Sequence, residues 1–285
     1  MLAGCEQKEK AYDATGTFEA TEVTVSTEQS GTLLKFAMEE GDYIEADSEV
    51  GLIDTTQIWL KLQQTDATKA VYQSQKPDME AQVAATRQQL EQAKREQRRY
   101  QELVNDGAAP SKMLDDATNQ VKVLQRQLDA QISSLNTSTK SLSQQMATAD
   151  VQKSQLRDQL RKCHILAPLS GTVLEKYVEQ GEFASPGKPL FKLGDLQHMY
   201  LRAYVTSAQL QQVKLGQKAK VFADYGNGQR KEYEGTVSWI SSRSEFTPKT
   251  ILTDDERADL VYAVKIAVVN DGQLKIGMYG EVSFE

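Results

Sequence analysis

Cys163 and His164 place a thiol beside an imidazole, the residue types of a Cys–His nucleophile pair. Adjacent residues on an arm that is turning from helix into strand rarely face each other, so Cys163 is read as a small core residue. The carboxylates of "TDDERAD", residues 253–259, offer oxygen ligands for a cation. They lack the glycine turn and terminal glutamate of a calcium loop, and the segment reads as a solvated loop. Cys5 and Cys163 are the only cysteines, and His164 and His198 the only histidines. That is too few for a disulfide framework or a metal cluster at short spacing. The expectation is a chain with no catalytic, metal-binding or cofactor-binding residues, and hence no enzyme.

Other classes fall to composition. A formal charge of -7 and a pI near 5.1 exclude nucleic acid as the partner, since phosphate contacts need clustered Lys and Arg in a net positive field. No apolar run approaches the roughly 20 residues of a spanning helix. With 39% apolar and 26% charged residues the chain is an ordinary folded one. At the N-terminus "MLAGC" resembles the lipobox that ends a bacterial lipoprotein signal peptide, with Cys5 as the residue that receives lipid. The alternative is an N-terminal cysteine with no special role. The polar, tether-like "EQKEKAYDATG" that follows favours the lipid reading.

These residues sit on a chain with three textures. Residues 16–54 alternate apolar and polar positions, punctuated by Gly31, Gly41 and Gly51, and read as short strands. From about 56 to 162 helix formers dominate, and from 164 onward glycines, prolines and β-branched residues return. In the helical stretch Leu114, Val121, Leu128, Leu135, Leu142, Ala149, Leu156 and Cys163 recur every seven residues. With the intervening series from Thr118 to Leu160 they make a coiled-coil seam. Met79, Thr86, Ala93 and Tyr100, with Val83, Leu90, Gln97 and Val104, form a weaker one. The stretch is interrupted at "LVNDGAAPSK", where Asn105 to Gly107 end one helix in a left-handed cap and Pro110 and Ser111 open the next. Two arms, about 56–105 and 111–162, predict an antiparallel hairpin, with Pro77 starting or kinking a segment of the first. A bundle of three or four helices would need further turn clusters, and none is present.

An internal repeat frames the hairpin. "SGTLLKFAMEEGDYIEADSEVGLI" (30–53) lies without a gap on "SGTVLEKYVEQGEFASPGKPLFKL" (170–193), pairing Gly31 with Gly171 and Gly41 with Gly181. Each copy is too small to bury a core alone, so the two are expected to interlock and bring residues 54 and 164 side by side.

On these motifs the chain resembles the HlyD-type membrane fusion proteins, the periplasmic adaptors. Residues 16–54 and 167–193 resemble the two halves of the family's split lipoyl (biotinyl-like) domain, with Asp47 where glycine is more usual. "FTPKTILTDDERADLVYAVKIAV" (246–268) and "LKIGMYGEV" (274–282) resemble the β-barrel of the branch that works with ABC-type transporters. The resemblance implies an α+β fold: an elongated adaptor with a long coiled-coil hairpin inserted in a split lipoyl-like domain, followed by a β-barrel. The corresponding domains are a lipoprotein anchor and tether (1–15), a barrel (16–25 with 196–285), a lipoyl-like domain (26–54 with 164–195) and the hairpin (55–163, tip near 105–111). It also implies a homo-oligomer, trimer or hexamer, in the periplasm, lipid-anchored with the inner membrane favoured. Its partners would be an inner-membrane transporter, ABC type favoured, and a TolC-type outer-membrane channel.

Adaptors of this family meet the channel through an Arg, a Leu four residues later and a Ser or Thr seven beyond. Arg99 and Leu103 fit; the third position falls on Pro110, which has no hydroxyl, so Ser111 would take that role. Lys94, Arg95, Arg98 and Arg99 cluster just below the tip, either as a solvated face or as a contact surface. Two other functions compete with this one. A true lipoyl or biotinyl carrier needs an exposed Lys in the turn where the hairpin is inserted, and Lys188 in "SPGKPLF" occupies a different turn. A structural coiled-coil lipoprotein would leave the repeat and the C-terminal strands unexplained.

Overall fold

The protein, seen in a computed structural model, is described over residues 12–226, 229–246 and 260–285. It divides into two compact units, one of residues 55–161 and one of the remainder.

The helical unit contains α1 (Thr56–Ser74), α2 (Met79–Asn105) and most of α3 (Ser111–Cys163). The first arm breaks where Pro77 predicts: α1 ends at Ser74, and Asp78 caps α2 by accepting the Ala81 N–H at 3.1 Å. α3 runs unbroken for 53 residues, about 80 Å at 1.5 Å per residue. Every seam position from Leu114 to Cys163 is buried or half-buried, as are all eight from Met79 to Val104. Val83, Leu90, Leu124 and Leu128 form the apolar centre of the distal half. Polar ties fix the antiparallel register. Thr86 Oγ1 bonds Gln131 at 3.0 Å, Gln97 donates to Thr118 at 3.1 Å, and two ion pairs of 2.6 Å join Lys69 to Asp150 and Lys153 to Asp66. The ion pairs lie where α1 has no buried residue, while the apolar cluster of Val83, Leu90, Leu124 and Leu128 belongs to the distal half.

The other unit is built of strands. In chain order they are β1 (Ala14–Ser26), β2 (Gly31–Phe36), β3 (Tyr43–Ile44), β4 (Glu49–Ile53), β5 (His164–Leu166), β6 (Gly171–Lys176), β7 (Phe183–Ala184) and β8 (Pro189–Thr206). A short α4 (Ser207–Leu210) leads to β9 (Lys218–Asp224), β10 (Arg230–Phe246), β11 (Leu260–Val269) and β12 (Tyr279–Phe284). Six of them pair in the order β1-β12-β9-β10-β11-β8, and β1 pairs again with β8, so the sheet closes on itself and leaves no edge. Its interior holds Phe18, Met199, Leu201, Val221, Ile266 and Leu274, all shut off from solvent.

The two sequence copies interlock by exchanging strands. Gly31 pairs with Ala184 and Thr32 with Phe183, while Gly171 pairs with Ile44 and Thr172 with Tyr43. Each contact is the other with the copies swapped. The same exchange holds in the turns: Gly181 N donates to Leu33 O at 2.8 Å and Gly41 N to Val173 O at 2.9 Å. Counterparts are buried alike, Leu33 with Val173 and Ile53 with Leu193. Neither copy therefore has a complete sheet or core without the other.

The copies differ at one backbone position. Gly187 sits at φ +84°, and its counterpart Asp47 adopts φ +61°, the single non-glycine at positive φ among the described residues. Asp47 donates its N–H to Ala167 O at 2.8 Å, the mirror of Gly187 to Thr27, so the conformation is demanded by the pairing. An Asp→Gly change at 47 relieves the left-handed strain and should stabilise the protein by about 0.5 kcal/mol; a lower thermal midpoint than wild type would contradict this reading of the turn.

β1 and β8 each run through the residue where the sequence places a domain boundary, 25/26 and 195/196. The register shifts instead between Ala20, opposite Met199, and Thr21, opposite Asp195, so residues 196–198 bulge out. Asn270 braces the bulge, donating Nδ2 to Leu196 O at 2.8 Å and its backbone N–H to Gln197 O at 2.9 Å.

Candidate functional site

The hairpin tip is fixed by local chemistry. α2 ends with Gly107 at φ +69°; Ala108 N donates to Leu103 O at 2.8 Å and Gly107 N to Val104 O at 3.1 Å. These are the 6→1 and 5→2 bonds of a Schellman cap. A Cβ at Gly107 would meet nothing, so glycine is required by the backbone angle and not by space. Pro110 precedes α3 and accepts from Met113 N at 3.0 Å, opening the helix where its missing N–H costs nothing.

Arg99 and Leu103 lie one turn apart on α2, on the same face. Arg99 is bound to Glu96 at 2.8 Å, and its guanidinium stands 5.2 Å from the centre of the Tyr100 ring. Leu103 is 37% exposed, an apolar side chain turned outward at the last turn of its helix. Pro110 and Ser111 are both exposed at the start of the other arm. Met113, 46% exposed, joins them although it lies outside the sequence motif. The available signal was an apolar residue one position off the seam. Below the tip, Ala93, Tyr100, Met113 and Ala117 line a shallow groove of about 360 Å³ rimmed by Glu96 and Asp116.

The basic cluster is partly neutralised on its own helix. Lys94 bonds Glu91 at 3.0 Å and holds that carboxyl below its usual range, with Arg95 and Arg98 adding to the effect. The tip thus presents a small apolar patch above a basic cluster in which Lys94 is paired with Glu91 and Arg99 with Glu96.

The other singled-out residues resolve simply. Cys163 is fully buried, and burial, helped by the Asp54 charge, pushes its thiol pKa up. His164 is exposed and bonds Glu49 through Nδ1 at 2.9 Å, so thiol and imidazole do not meet. Lys188 folds back onto its own turn, bonding Glu182 at 3.2 Å and the Phe183 carbonyl at 3.3 Å, unlike a lysine that carries a swinging arm. Cys5 and the "TDDERAD" carboxylates at 253–259 lie outside the described residues. No helix among the described residues is long and apolar enough to cross a membrane, and no metal-holding cluster of His, Cys, Asp or Glu occurs among them.

Comparison with known proteins places this arrangement. Residues 21–194 match the barrel-sandwich hybrid domain of the RND membrane fusion proteins, the span that holds both β copies and the hairpin between them. A UPF0194 membrane protein from the asrC 5′ region of Acidithiobacillus ferridurans is 27% identical over 291 residues, covering 95% of this chain and 86% of that protein. Among solved structures, MacA from Actinobacillus actinomycetemcomitans has the same fold at 20% identity, with a TM-score of 0.59 over 95% of this chain and 76% of that one. A MacA–MexA chimera carrying the Pseudomonas aeruginosa MexA α-hairpin aligns with a TM-score of 0.55 at 22% identity, over 95% and 80% of the respective chains.

Proposed function

Because the chain belongs to the RND-type membrane fusion proteins, we propose that it is a periplasmic adaptor. In this reading it joins an inner-membrane transporter to a TolC-type outer-membrane channel and serves efflux or secretion. The observation that carries it is the helical hairpin inserted in the chain between two interlocked β copies, its arms joined by the capped turn of residues 106–110. A long antiparallel hairpin that ends in a capped turn supports a role in reaching a second protein.

The pump class is drawn from the C-terminal motifs and not from the family's name. "FTPKTILTDDERADLVYAVKIAV" (246–268) and "LKIGMYGEV" (274–282) resemble the branch that works with ABC-type transporters, and this favours that pump. The closed sheet of β1 and β8–β12 is assigned the barrel's role of facing the transporter, and the strand-swapped copies the lipoyl-like role. Cys5 is assigned the lipid, tethering the chain to a membrane, with the inner membrane favoured. The adaptor acts as a homo-oligomer, trimer or hexamer.

Arg99, Leu103, Pro110 and Ser111 are assigned to the channel contact. Arg99→Glu places a carboxylate beside Glu96 and removes the cation from the tip; it should cut cross-linking to the channel by about 10-fold, the effect of roughly 1.4 kcal/mol. Undiminished cross-linking would remove Arg99 from the contact. The reading as a whole is tested by deleting the gene and measuring sensitivity to exported toxic compounds and secretion of substrates. Loss of export, restored by the intact gene, is the expected result; unchanged export would refute the adaptor. A structural lipoprotein would leave export untouched.

A further inference from the structure

The bulge of β8 at residues 196–198 does more than interrupt the pairing of the sheet. It sets His198, an exposed residue, on the outer face of the closed sheet. Asp195 holds that residue by its backbone and by its ring: Oδ1 accepts the His198 N–H at 3.1 Å, and Oδ2 bonds Nδ1 at 2.9 Å. A carboxylate can only accept, so Nδ1 carries the hydrogen and the neutral ring keeps its lone pair on Nε2. Asn270 braces the same bulge through Leu196 and Gln197, so the imidazole is an aimed acceptor and not a loose one.

His198 lines a groove of about 930 Å³ on the outside of that sheet. The register explains why a groove opens there. Lys218, Thr236, Ala267 and Tyr200 lie side by side on β9, β10, β11 and β8, and Val269 lies beside His198 in the next row. Thr236 and Ala267 are short, Lys218 and Tyr200 long, so a trough runs over β10 and β11 with an apolar floor of Ala267 and Val269. Lys265 steadies the Tyr200 wall, its ammonium 5.6 Å from the ring centre. The charges of the groove are unequal: the carboxylates of Glu232, Glu234 and Glu285 face the ammoniums of Lys218 and Lys220. Lys220 is paired with Glu232 at 3.4 Å, and Glu234 has no ion-pair partner among the described residues. Continuing the pairing of Gly235 with Val268 brings Glu234 opposite Val269, so Glu234 and His198 flank that valine from its two sides. They are two strand spacings apart, about 10 Å between Cα atoms, a span that two long side chains close over one small group.

We propose that this groove is a binding site for an organic ammonium with an apolar body. The ammonium sits over Val269 and donates N–H groups to His198 Nε2 and to the Glu234 carboxylate, while the apolar part lies on Ala267 against the Tyr200 ring. An organic anion is disfavoured there, because the carboxylates outnumber the ammoniums and the one free acceptor nitrogen has nothing to accept from it. The site stands on the strand unit alone and does not depend on the adaptor reading.

Three probes that share one ring test it on the full chain by calorimetry: naphthylethylammonium, its trimethylammonium derivative and naphthylacetate. Saturable binding of both cations, and none of the anion, is the expected result. Glu234→Gln should weaken both cations about 10-fold, the loss of a charged partner. His198→Ala should weaken naphthylethylammonium about 5-fold, the effect of one hydrogen bond, and leave the trimethylammonium derivative unchanged, since that probe has no N–H to donate. Ala267→Leu fills the floor and should abolish binding of both. Glu234 and His198 face solvent, so circular dichroism and the melting midpoint of those two variants should stay at wild-type values. A wild-type chain that binds neither cation, or that takes naphthylacetate as tightly, would overturn the proposal. So would a His198→Ala variant that loses both cations alike, or a folded Ala267→Leu variant that binds like wild type. Export in cells judges the adaptor reading separately, and either can fail without the other.

Discussion

Phe18→Ala is expected to destabilise the strand unit by about 3–5 kcal/mol, a large part of the total stability of any single domain. Phe18 is fully buried on β1, the strand that closes the sheet by pairing with both β12 and β8. Its ring fills the space left by a missing side chain: a Cβ at Gly280 would stand 2.8 Å from the Phe18 Cε2 and 3.2 Å from its Cζ. Truncating the ring opens a cavity beside a glycine whose neighbours cannot collapse into it. Gly280→Ala alone should also destabilise, by overpacking of about 1–3 kcal/mol. In the Phe18→Leu background Gly280→Ala should cost less than it does alone, because the smaller side chain yields the room. Denaturant titration of the four proteins measures the coupling, and strict additivity would mean that ring and glycine do not share that space.

Leu90→Asp is the second large effect. Leu90 is 2% exposed at the centre of the distal seam, packed with Val83, Leu124 and Leu128. The substitution forfeits the burial of a leucine and demands that a carboxylate stay dry or the arms part, together about 4 kcal/mol. The proximal half has no comparable apolar lock, so the helical unit should lose its cooperative melting while the sheets keep theirs. Far-UV circular dichroism should show a helical loss well below the β transition. Export should vanish with it, because a tip on separated arms cannot present Arg99 and Leu103 together with Ser111. A helical transition at the wild-type temperature would mean that the seam is not what joins the arms.

The hairpin was legible in the sequence because its physics is local. The seven-residue spacing named every seam position of α3, and "NDGAAP" announced the cap bonds of Leu103 and Val104. What the spacing missed was its width: Leu124 is buried beside Leu128, although it belongs to neither heptad series. The pairs Lys69–Asp150 and Asp66–Lys153 were also invisible, since they join residues 81 and 87 positions apart through a register that only the folded arms define. The repeat announced that two β copies must interlock, but not that each lends its short strand to the other. Pairings such as Gly31–Ala184 depend on which edges remain open once both copies have folded. The bulge at 196–198 lacks any glycine or proline, and its brace, Asn270, lies more than 70 residues away.

The tip was legible in the sequence as a turn. Arg99 and Leu103 stand where the spacing puts them, yet the sequence did not reveal that Arg99 is already held by Glu96 and Tyr100. A channel docking at the tip, as proposed, would compete with those contacts, which are exposed and cost little to break. Met113 was not legible because it lies beyond the motif, which ends at Pro110 and Ser111, and one position off the seam.

As a proposed adaptor, the chain should bridge a transporter and a channel. The most direct measurement is affinity purification of the full-length protein from envelopes cross-linked in living cells, followed by identification of the attached proteins. One complex that contains both an inner-membrane transporter and an outer-membrane channel is expected, with the channel lost from it in Arg99→Glu. Recovery of the chain with neither, or with copies of itself alone, would contradict it.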